Sequence, residues 1–138
     1  MHLRNLTVAD LMTTALVTVH ERETLSVADF NMKLASIRHL PVVDEKQHLV
    51  GILSNRDFLR ELGRTGRKEA PVHQVMTTRV VTVRPEQRAH EAAALMLEHR
   101  IGALPVIGDR GQLVGLVTET DFLRLAHEAL GGVRAEEA

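Results

Sequence analysis

Two of the places where a carboxylate follows a hydroxyl by three residues also share their flanking sequence. Ser54 precedes Asp57 and Thr118 precedes Asp121, and both pairs follow a short apolar run and lead into Phe-Leu-Arg. A hydroxyl just before a helical pattern, with an acidic residue in the first turn, predicts a capped helix N-terminus. Capping explains one copy, but the same arrangement occurring twice requires a further reason.

The residue types that support catalysis do not form a catalytic constellation. Ser54, His39 and Asp57 carry the groups of a nucleophilic hydrolase, yet no serine lies in a Gly-x-Ser-x-Gly elbow. The 8 histidines include no His-Glu-x-x-His or His-x-His pair, and the absence of cysteine removes thiolate ligands and nucleophiles. We therefore expect no enzyme activity and no metal site.

The two pairs belong to a duplication that covers nearly the whole chain. Residues 49–60 resemble residues 113–124, and shorter matches precede them in the same order: Met12-Thr-Thr with Met76-Thr-Thr, Val17-Thr-Val with Val81-Thr-Val, and Leu40-Pro41 with Leu104-Pro105. Internal repeats of this length are each too short to bury a good core alone. The pattern predicts repeats at residues 8–62 and 72–130, a Gly/Pro-containing charged linker at 63–71, and a charged tail at 131–138.

Each repeat shows the same order of elements. In the first repeat we predict a short strand within residues 12–19, a helix from residue 25, an extended segment at 38–43, a strand at 49–53 and a helix at 55–62. In the second repeat the corresponding segments are 80–83, 89–99, 104–107, 113–117 and about 119–130, where Gly131-Gly132 stops the helix. The order β-α-β-β-α predicts an α+β fold.

Composition limits the classes of partner. The net charge of −1 gives no electrostatic footprint for nucleic acid, and no apolar run reaches membrane-spanning length. The N-terminus lacks the apolar centre of a signal peptide. We expect a cytoplasmic protein that contacts neither nucleic acid nor membrane.

The sequence resembles a tandem pair of cystathionine-β-synthase (CBS) domains, also called a Bateman module. The resemblance is carried by the Met-Thr opening with its Thr-Val strand, the Leu-Pro segment, and the Gly-x-x-Ser/Thr-x-x-Asp ending, which occur in both repeats in order. It implies repeats that pack sheet to sheet around a pseudo-twofold axis. It also implies two clefts for an adenine nucleotide (AMP, ADP or ATP) or S-adenosylmethionine, held reversibly and without a required cofactor.

The resemblance also implies site residues. A carboxylate would accept hydrogen bonds from ribose hydroxyls, and a helix N-terminus would hold a phosphate. In the family a cleft combines the ending of one repeat with the opening and basic residues of the other. The main cleft would contain Thr118, Asp121, Thr14, Leu16, Val17, Arg38, His39 and Arg56. The second cleft would contain Ser54, Asp57, Thr78, Val80, Val81 and Thr120, and it would be weaker because Gly102 and Ala103 replace Arg38 and His39.

The function implied is a sensor that passes its ligand state to a separate protein. The alternative is a ligand-free module that only dimerises or docks, since the run Ala92-Ala93-Ala94 is compatible with close helix packing. In either case the resemblance implies a homodimer, and closed twofold dimers are the commonest oligomers.

Overall fold

The computed structural model describes residues 3–132, in which short helices alternate with short strands. The predicted α+β class is confirmed. In chain order the elements are α1 (Val8–Leu11), β1 (Val19–His20), α2 (Leu25–Ala35), β2 (His39–Val43), β3 (Leu49–Ser54), α3 (Asn55–Thr65), α4 (Ala89–His99), β4 (Ala103–Ile107), β5 (Leu113–Thr118) and α5 (Glu119–Ala129). Single 3₁₀ turns lie at Leu3–Asn5 and Val72–Gln74.

The chain divides into two compact units. Unit 2 comprises Ala15–Val80 with the turn Asp109–Leu113. Its sheet has the order β1-β2-β3, in which β2 is parallel to β1 and antiparallel to β3, with His39 opposite Ser54. Helices α2 and α3 cover this sheet, and the buried core consists of Val19, Leu25, Ala28, Met32, Leu40, Val42, Leu53, Phe58, Ala70 and Val72.

Unit 1 comprises the described residues up to Thr14, together with Val81–Gly108 and the chain from Val114 onward. It contains α1, α4 and α5 and a two-stranded sheet of β4 and β5. Its buried core consists of Val8, Val83, Ala92, Met96, Leu104, Val106 and Val117.

Each unit thus receives the opening segment of the other sequence repeat. Val8 opens the first repeat but is fully buried in unit 1, and Val72 opens the second repeat but is fully buried in unit 2. Backbone hydrogen bonds fix both segments: Val8 N–H donates to Gln87 at 2.8 Å, and Val72 N–H donates to Glu23 at 2.7 Å. Neither core is complete without residues from both repeats.

The predicted first strand of the second repeat, residues 80–83, is wrong. Only Val83 pairs, through a single parallel bridge to Val106. In the first repeat Glu21 N–H extends the ladder beyond β1 by donating to Val43 at 3.0 Å. Pro85 occupies the corresponding position in the second repeat and has no N–H to donate, so the ladder is shorter there.

The predicted end of α3 at residue 62 is also wrong, because the helix continues through Gly63 to Thr65. Arg64 forms hydrogen bonds with Glu61 one turn earlier, and Gly66 ends the helix in the left-handed conformation, with φ of 71°. Helix α4 has the predicted bounds, and α5 ends at Ala129, one residue before the prediction. The predicted charged tail lies, from residue 133, outside the described residues.

Candidate functional site

The Ser54–Asp57 pair forms a reciprocal cap at the start of α3. Ser54 Oγ accepts a hydrogen bond from Asp57 N–H at 3.0 Å, and Asp57 Oδ2 accepts one from Ser54 N–H at 3.0 Å. The backbone N–H groups of Ser54 and Asp57 are thereby both satisfied, which fixes the two side chains at the start of α3. The capping role predicted for this pair is therefore confirmed.

The Thr118–Asp121 pair holds the start of α5 in a similar way. Asp121 Oδ2 accepts hydrogen bonds from Thr118 N–H at 2.8 Å and from Thr118 Oγ1 at 3.3 Å. Asp121 is the one charged or polar residue among residues 3–132 that is classed with the buried core, at 9% exposure. A carboxylate at this depth requires hydrogen-bond partners, and the helix start supplies two of them.

In both pairs the second carboxylate oxygen, Oδ1, has only a long contact to an arginine. Asp57 Oδ1 lies 3.8 Å from Arg60 Nη1, and Asp121 Oδ1 lies 4.0 Å from Arg124 Nη1. These distances exceed those of hydrogen bonds, and both arginine side chains are mostly exposed. One oxygen of each carboxylate therefore holds the helix, while the other retains its capacity to accept hydrogen bonds.

The openings of the repeats are bonded to the strands that lead into these helix starts. Thr77 exchanges two backbone hydrogen bonds with Ile52 of β3, at 2.9 and 3.0 Å, and Thr13 does the same with Leu116 of β5. These bridges place Thr78 in unit 2 with Ser54 and Asp57, and they place Thr14 in unit 1 with Thr118 and Asp121. Both Thr14 and Thr78 are exposed.

This close approach depends on two glycines that sequence reasoning did not single out as site residues. A Cβ on Gly51 would lie 2.5 Å from Met76 Sδ and 2.9 Å from the Thr77 carbonyl oxygen. A Cβ on Gly115 would lie 2.6 Å from Met12 Sδ. A glycine inside an apolar strand pattern is a signal of close backbone approach, and it is present in both Leu-Val-Gly segments.

The basic residues before the first Leu-Pro segment lie next to the start of α3. The Arg38 carbonyl accepts a hydrogen bond from Asn55 N–H at 2.8 Å, and His39 is the partner of Ser54 across the strand pair. The Arg38 and Arg56 side chains are exposed, and His39 is half-buried. At the corresponding place in unit 1, the Gly102 carbonyl accepts from Glu119 N–H at 3.1 Å, without a basic side chain.

The structure therefore distributes the residues predicted for the main cleft over two units. Unit 1 contains Thr14, Thr118 and Asp121, whereas unit 2 contains Leu16, Val17, Arg38, His39 and Arg56. Of the residues predicted for the second cleft, unit 2 contains Ser54, Asp57, Thr78 and Val80, and unit 1 contains Val81 and Thr120. The structure describes which of these residues lie in the same unit. That residues of different units form one cleft stays a prediction.

Two other features are absent from residues 3–132. No group of three or more His, Asp or Glu side chains is arranged to hold a metal ion. No helix of that part of the chain is both long enough and apolar enough to cross a membrane.

Curated relatives cover most of this chain. The CBS domain-containing protein YhcV of Bacillus subtilis is 35% identical over 127 residues, which is 90% of this chain and 89% of that protein. Homoserine O-acetyltransferase of Methanohalophilus mahii is 34% identical over 116 residues, which is 84% of this chain. The match spans only 23% of that longer protein, so it concerns one segment of it.

Solved structures share the whole fold. A protein of Vibrio cholerae described as an acetoin utilization protein (AcuB) has a TM-score of 0.82 at 37% identity, covering 91% of this chain and 93% of that one. The CBS domain pair of MJ0100, in complex with 5-methylthioadenosine and S-adenosylmethionine, has a TM-score of 0.82 at 28% identity, covering 89% and 97%. CBSX2 in complex with AMP has a TM-score of 0.79 at 28% identity, covering 91% and 98%.

The family model of the CBS domain matches this chain twice, at residues 8–64 and 72–128. Both matches end one residue before the ends of the helices that the Ser54–Asp57 and Thr118–Asp121 pairs begin. The duplication, the fold and the repeated helix starts therefore have one explanation: this chain belongs to the CBS domain family, as a tandem pair of CBS repeats.

Proposed function

We propose that this CBS pair is a regulatory module that binds an adenosine compound reversibly and carries out no reaction on it. The candidate ligands are AMP, ADP, ATP and S-adenosylmethionine. The bound state would be passed to a separate protein, because a regulatory ligand acts only through a difference in affinity between two states of the module or its complex.

The observation that carries this proposal is the unequal use of the two oxygens of Asp57 and of Asp121. Oδ2 of each carboxylate holds a helix start, whereas Oδ1 has only a long contact to an arginine. A carboxylate fixed in this way is preorganised to accept hydrogen bonds from vicinal ribose hydroxyls, as an acidic residue does in dinucleotide-binding folds.

The structures of similar CBS pairs support the class of ligand. MJ0100 was crystallised with 5-methylthioadenosine and S-adenosylmethionine, and CBSX2 was crystallised with AMP. These three ligands share adenosine and differ in what is attached to the 5′ position. Recognition of the shared part requires ribose acceptors and an apolar surface for adenine, for which we propose Leu16 and Val17 or Val80 and Val81.

Thermal unfolding with a panel of AMP, ADP, ATP, S-adenosylmethionine and NAD tests the proposal. A ligand that binds only the folded state, at 100 times its dissociation constant, adds about 2.7 kcal/mol of stability. We expect at least one adenosine compound to raise the melting temperature by about 5–10 °C. If none changes the midpoint at millimolar concentration, the alternative, a ligand-free interaction module, is favoured instead.

Calorimetry on single variants tests the proposed residues. The resemblance groups Thr118 and Asp121 with Arg38, His39 and Arg56 as the tighter site. A charge-assisted hydrogen bond is worth roughly 1.5–3 kcal/mol, which is tenfold or more in affinity. We expect Asp121→Ala and Arg38→Ala to remove the tight phase, while Asp57→Ala spares it.

The matched control is Arg110→Ala, which removes an exposed arginine from a turn and should leave both phases unchanged. A different result would regroup the residues: if Arg38→Ala removes the same phase as Asp57→Ala, Arg38 acts with the residues of its own unit. That outcome would leave the proposed function intact and contradict only the assignment across repeats.

We also propose that the module works as a homodimer and regulates another protein. The relationship to one segment of the longer homoserine O-acetyltransferases supports a module that accompanies other activities, since this chain spans less than a quarter of the first of them. Light scattering at micromolar concentration should give twice the monomer mass of 15.3 kDa. A mass near that of the monomer would rule out the dimer without affecting ligand binding.

A further inference from the structure

Oxidation of sulfur in this chain can occur only at methionine. The sequence contains five methionines and no cysteine. Transfer of one oxygen atom to a methionine thioether converts a flexible apolar side chain into a polar sulfoxide, and sulfoxide reductases restore the thioether. The effect on the fold depends on where each sulfur lies, and the four methionines among residues 3–132 lie in two kinds of place.

The first kind of place is the opening of each repeat. Met12 and Met76, which we call the opening methionines, each begin a Met-Thr-Thr sequence. A Cβ on Gly115 would lie 2.6 Å from Met12 Sδ, and one on Gly51 would lie 2.5 Å from Met76 Sδ. Both side chains also pack against buried cores, that of unit 1 for Met12 and that of unit 2 for Met76. Each thioether therefore lies between a core and the backbone of a strand.

The second kind of place is the interior of a core. Met32 is 2% exposed and Met96 is 7% exposed, and we call these two the core methionines. The opening methionines are half-buried instead, so that part of each side chain reaches the surface. A dissolved peroxide reaches a side chain at the surface more easily than one inside a close-packed core. The opening methionines are therefore the two of these four that an oxidant in solution meets first.

The backbone beside the opening methionines shows what a sulfoxide would disturb. Thr13 exchanges hydrogen bonds with Leu116 of β5 at 2.9 and 3.0 Å, and Thr77 does so with Ile52 of β3 at the same lengths. An oxygen directed from the sulfur toward the glycine would overlap the strand that these bonds hold. An oxygen directed toward the core would lie among apolar side chains, where a polar group without a partner is destabilising. A sulfoxide therefore favours a side chain that has moved away from the strand.

We propose that the opening methionines are reversible oxidation sites, at which hydrogen peroxide releases the Met-Thr-Thr sequences from β5 and β3. The thioether sulfur attacks one peroxide oxygen and is oxidised. The O–O bond breaks, and the leaving hydroxide takes the proton of the transferred hydroxyl to form water. A dithiol reductant later removes the sulfoxide oxygen as water and becomes a disulfide. Each segment stays anchored upstream, because Val8 N–H donates to Gln87 and Val72 N–H donates to Glu23.

Peptide mapping after limited treatment with hydrogen peroxide measures the rate of oxidation at each sulfur. Trypsin cleaves after Lys and Arg, and so places the methionines in separate peptides. The opening methionines should be oxidised at least about tenfold faster than the core methionines, because oxidation of a core methionine requires a local opening of the fold. In denaturant the four rates should become equal. Equal rates in the folded chain, or faster oxidation of the core methionines, would overturn the proposal.

Amide hydrogen exchange detects the release itself. After oxidation the N–H groups of Thr13 and Thr77 should exchange at least about tenfold faster, because they no longer bond to β5 and β3. The matched control is the N–H of Val72, which lies in the same segment as Thr77 and should change less than about threefold. Unchanged exchange at Thr13 and Thr77 would contradict the proposal. An equal rise at Val72 would contradict it as well, since it would indicate general unfolding.

Leucine variants test whether these two sulfurs are responsible. The double variant Met12→Leu, Met76→Leu keeps a similar side-chain volume and removes both reactive thioethers, so peroxide should no longer accelerate exchange at the two threonines. The matched control Met32→Leu, Met96→Leu keeps the opening methionines and should respond as the unmodified chain does. Acceleration that persists in the first variant would show that another group is the target.

Reversal requires no substitution. Treatment of the oxidised chain with a dithiol and the two sulfoxide reductases, one for each sulfoxide epimer, should restore slow exchange at Thr13 and Thr77. Exchange that stays fast after the sulfoxides are reduced would show that the release is not controlled by these sulfurs, and would overturn the proposal.

The consequence for ligand binding rests on the proposed function. Strands β3 and β5 lead into the helix starts that hold Asp57 and Asp121, so release of the openings should reduce the preorganisation of these carboxylates. Calorimetry with AMP should give an affinity at least about tenfold lower for the oxidised chain. Equal affinities would overturn this consequence. Absence of AMP binding by the reduced chain would instead contradict the proposed function, while the oxidation and exchange rates, which require no ligand, would still decide the oxidation sites.

Discussion

The exchange of opening segments between the repeats predicts that neither repeat folds alone. The chain is expressed as two separate fragments, 1–66 and 67–138, divided after Gly66, an exposed residue at the end of α3. Fragment 1–66 retains the sheet and both helices of unit 2 but lacks Ala70 and Val72, which are 2% and 0% exposed in its core. The fragment has the sequence of one whole repeat without the complete core of either unit.

The loss can be estimated from the contacts removed. Six backbone hydrogen bonds join residues 68–77 to the rest of unit 2, including Leu25 N–H to Ala70 at 2.9 Å and the pair between Ile52 and Thr77. Such bonds contribute about 0.5–1.5 kcal/mol each. Burial of the Val72 side chain adds roughly 1.5–3 kcal/mol. The sum is about 4.5–12 kcal/mol, which is comparable to the whole stability of a typical domain.

Circular dichroism and thermal melting of the fragments provide the assay. Each fragment alone should lack a cooperative transition, and an equimolar mixture should recover the spectrum of the intact chain, because the segments that complete each core are then present together. The mixture should melt below the intact chain and at a temperature that rises with concentration. A cooperative melt of fragment 1–66 alone, close to that of the intact chain, would refute the reasoning.

Two further predictions concern single residues. Gly51→Ala should cost about 1–3 kcal/mol in chemical denaturation, because its Cβ would lie 2.9 Å from the Thr77 carbonyl oxygen, a backbone atom that two hydrogen bonds with Ile52 hold in place. Gly63→Ala, which meets nothing within 4 Å in the interior of α3, should be neutral or stabilising and is the control. Hydrogen bonds from the backbone of His48 and of Lys46 lower the pKa of Asp44 below its ordinary value of 3.8. The contribution of ionised Asp44 to stability is therefore present above the unfolded pKa and is lost as the pH falls through the folded pKa. An NMR titration of Asp44 with a midpoint above 3.8 would contradict the lowered pKa.

The repeat, the α+β class and the starts of the main helices could all be predicted from the amino-acid sequence. These features depend on short-range chemistry: hydroxyl–carboxylate pairs that cap α3 and α5, and apolar spacing that defines α2 and α4. Because capping and amphipathic periodicity involve residues within one or two turns of each other, a single sequence contains the information needed. The same local signals identified Asp57 and Asp121, whose capping contacts the structure describes.

Which repeat completes which core became known from the folded structure. Val8 and Val72 occupy equivalent positions, each four residues before a Met-Thr-Thr, and no local pattern shows whether either packs in its own repeat or in the other. Strand pairing is likewise nonlocal: residues 80–83 have the composition of a strand, but only Val83 among them pairs, with Val106 of β4. Contacts between distant residues depend on the fold as a whole, which is why these features could not be predicted from the sequence pattern.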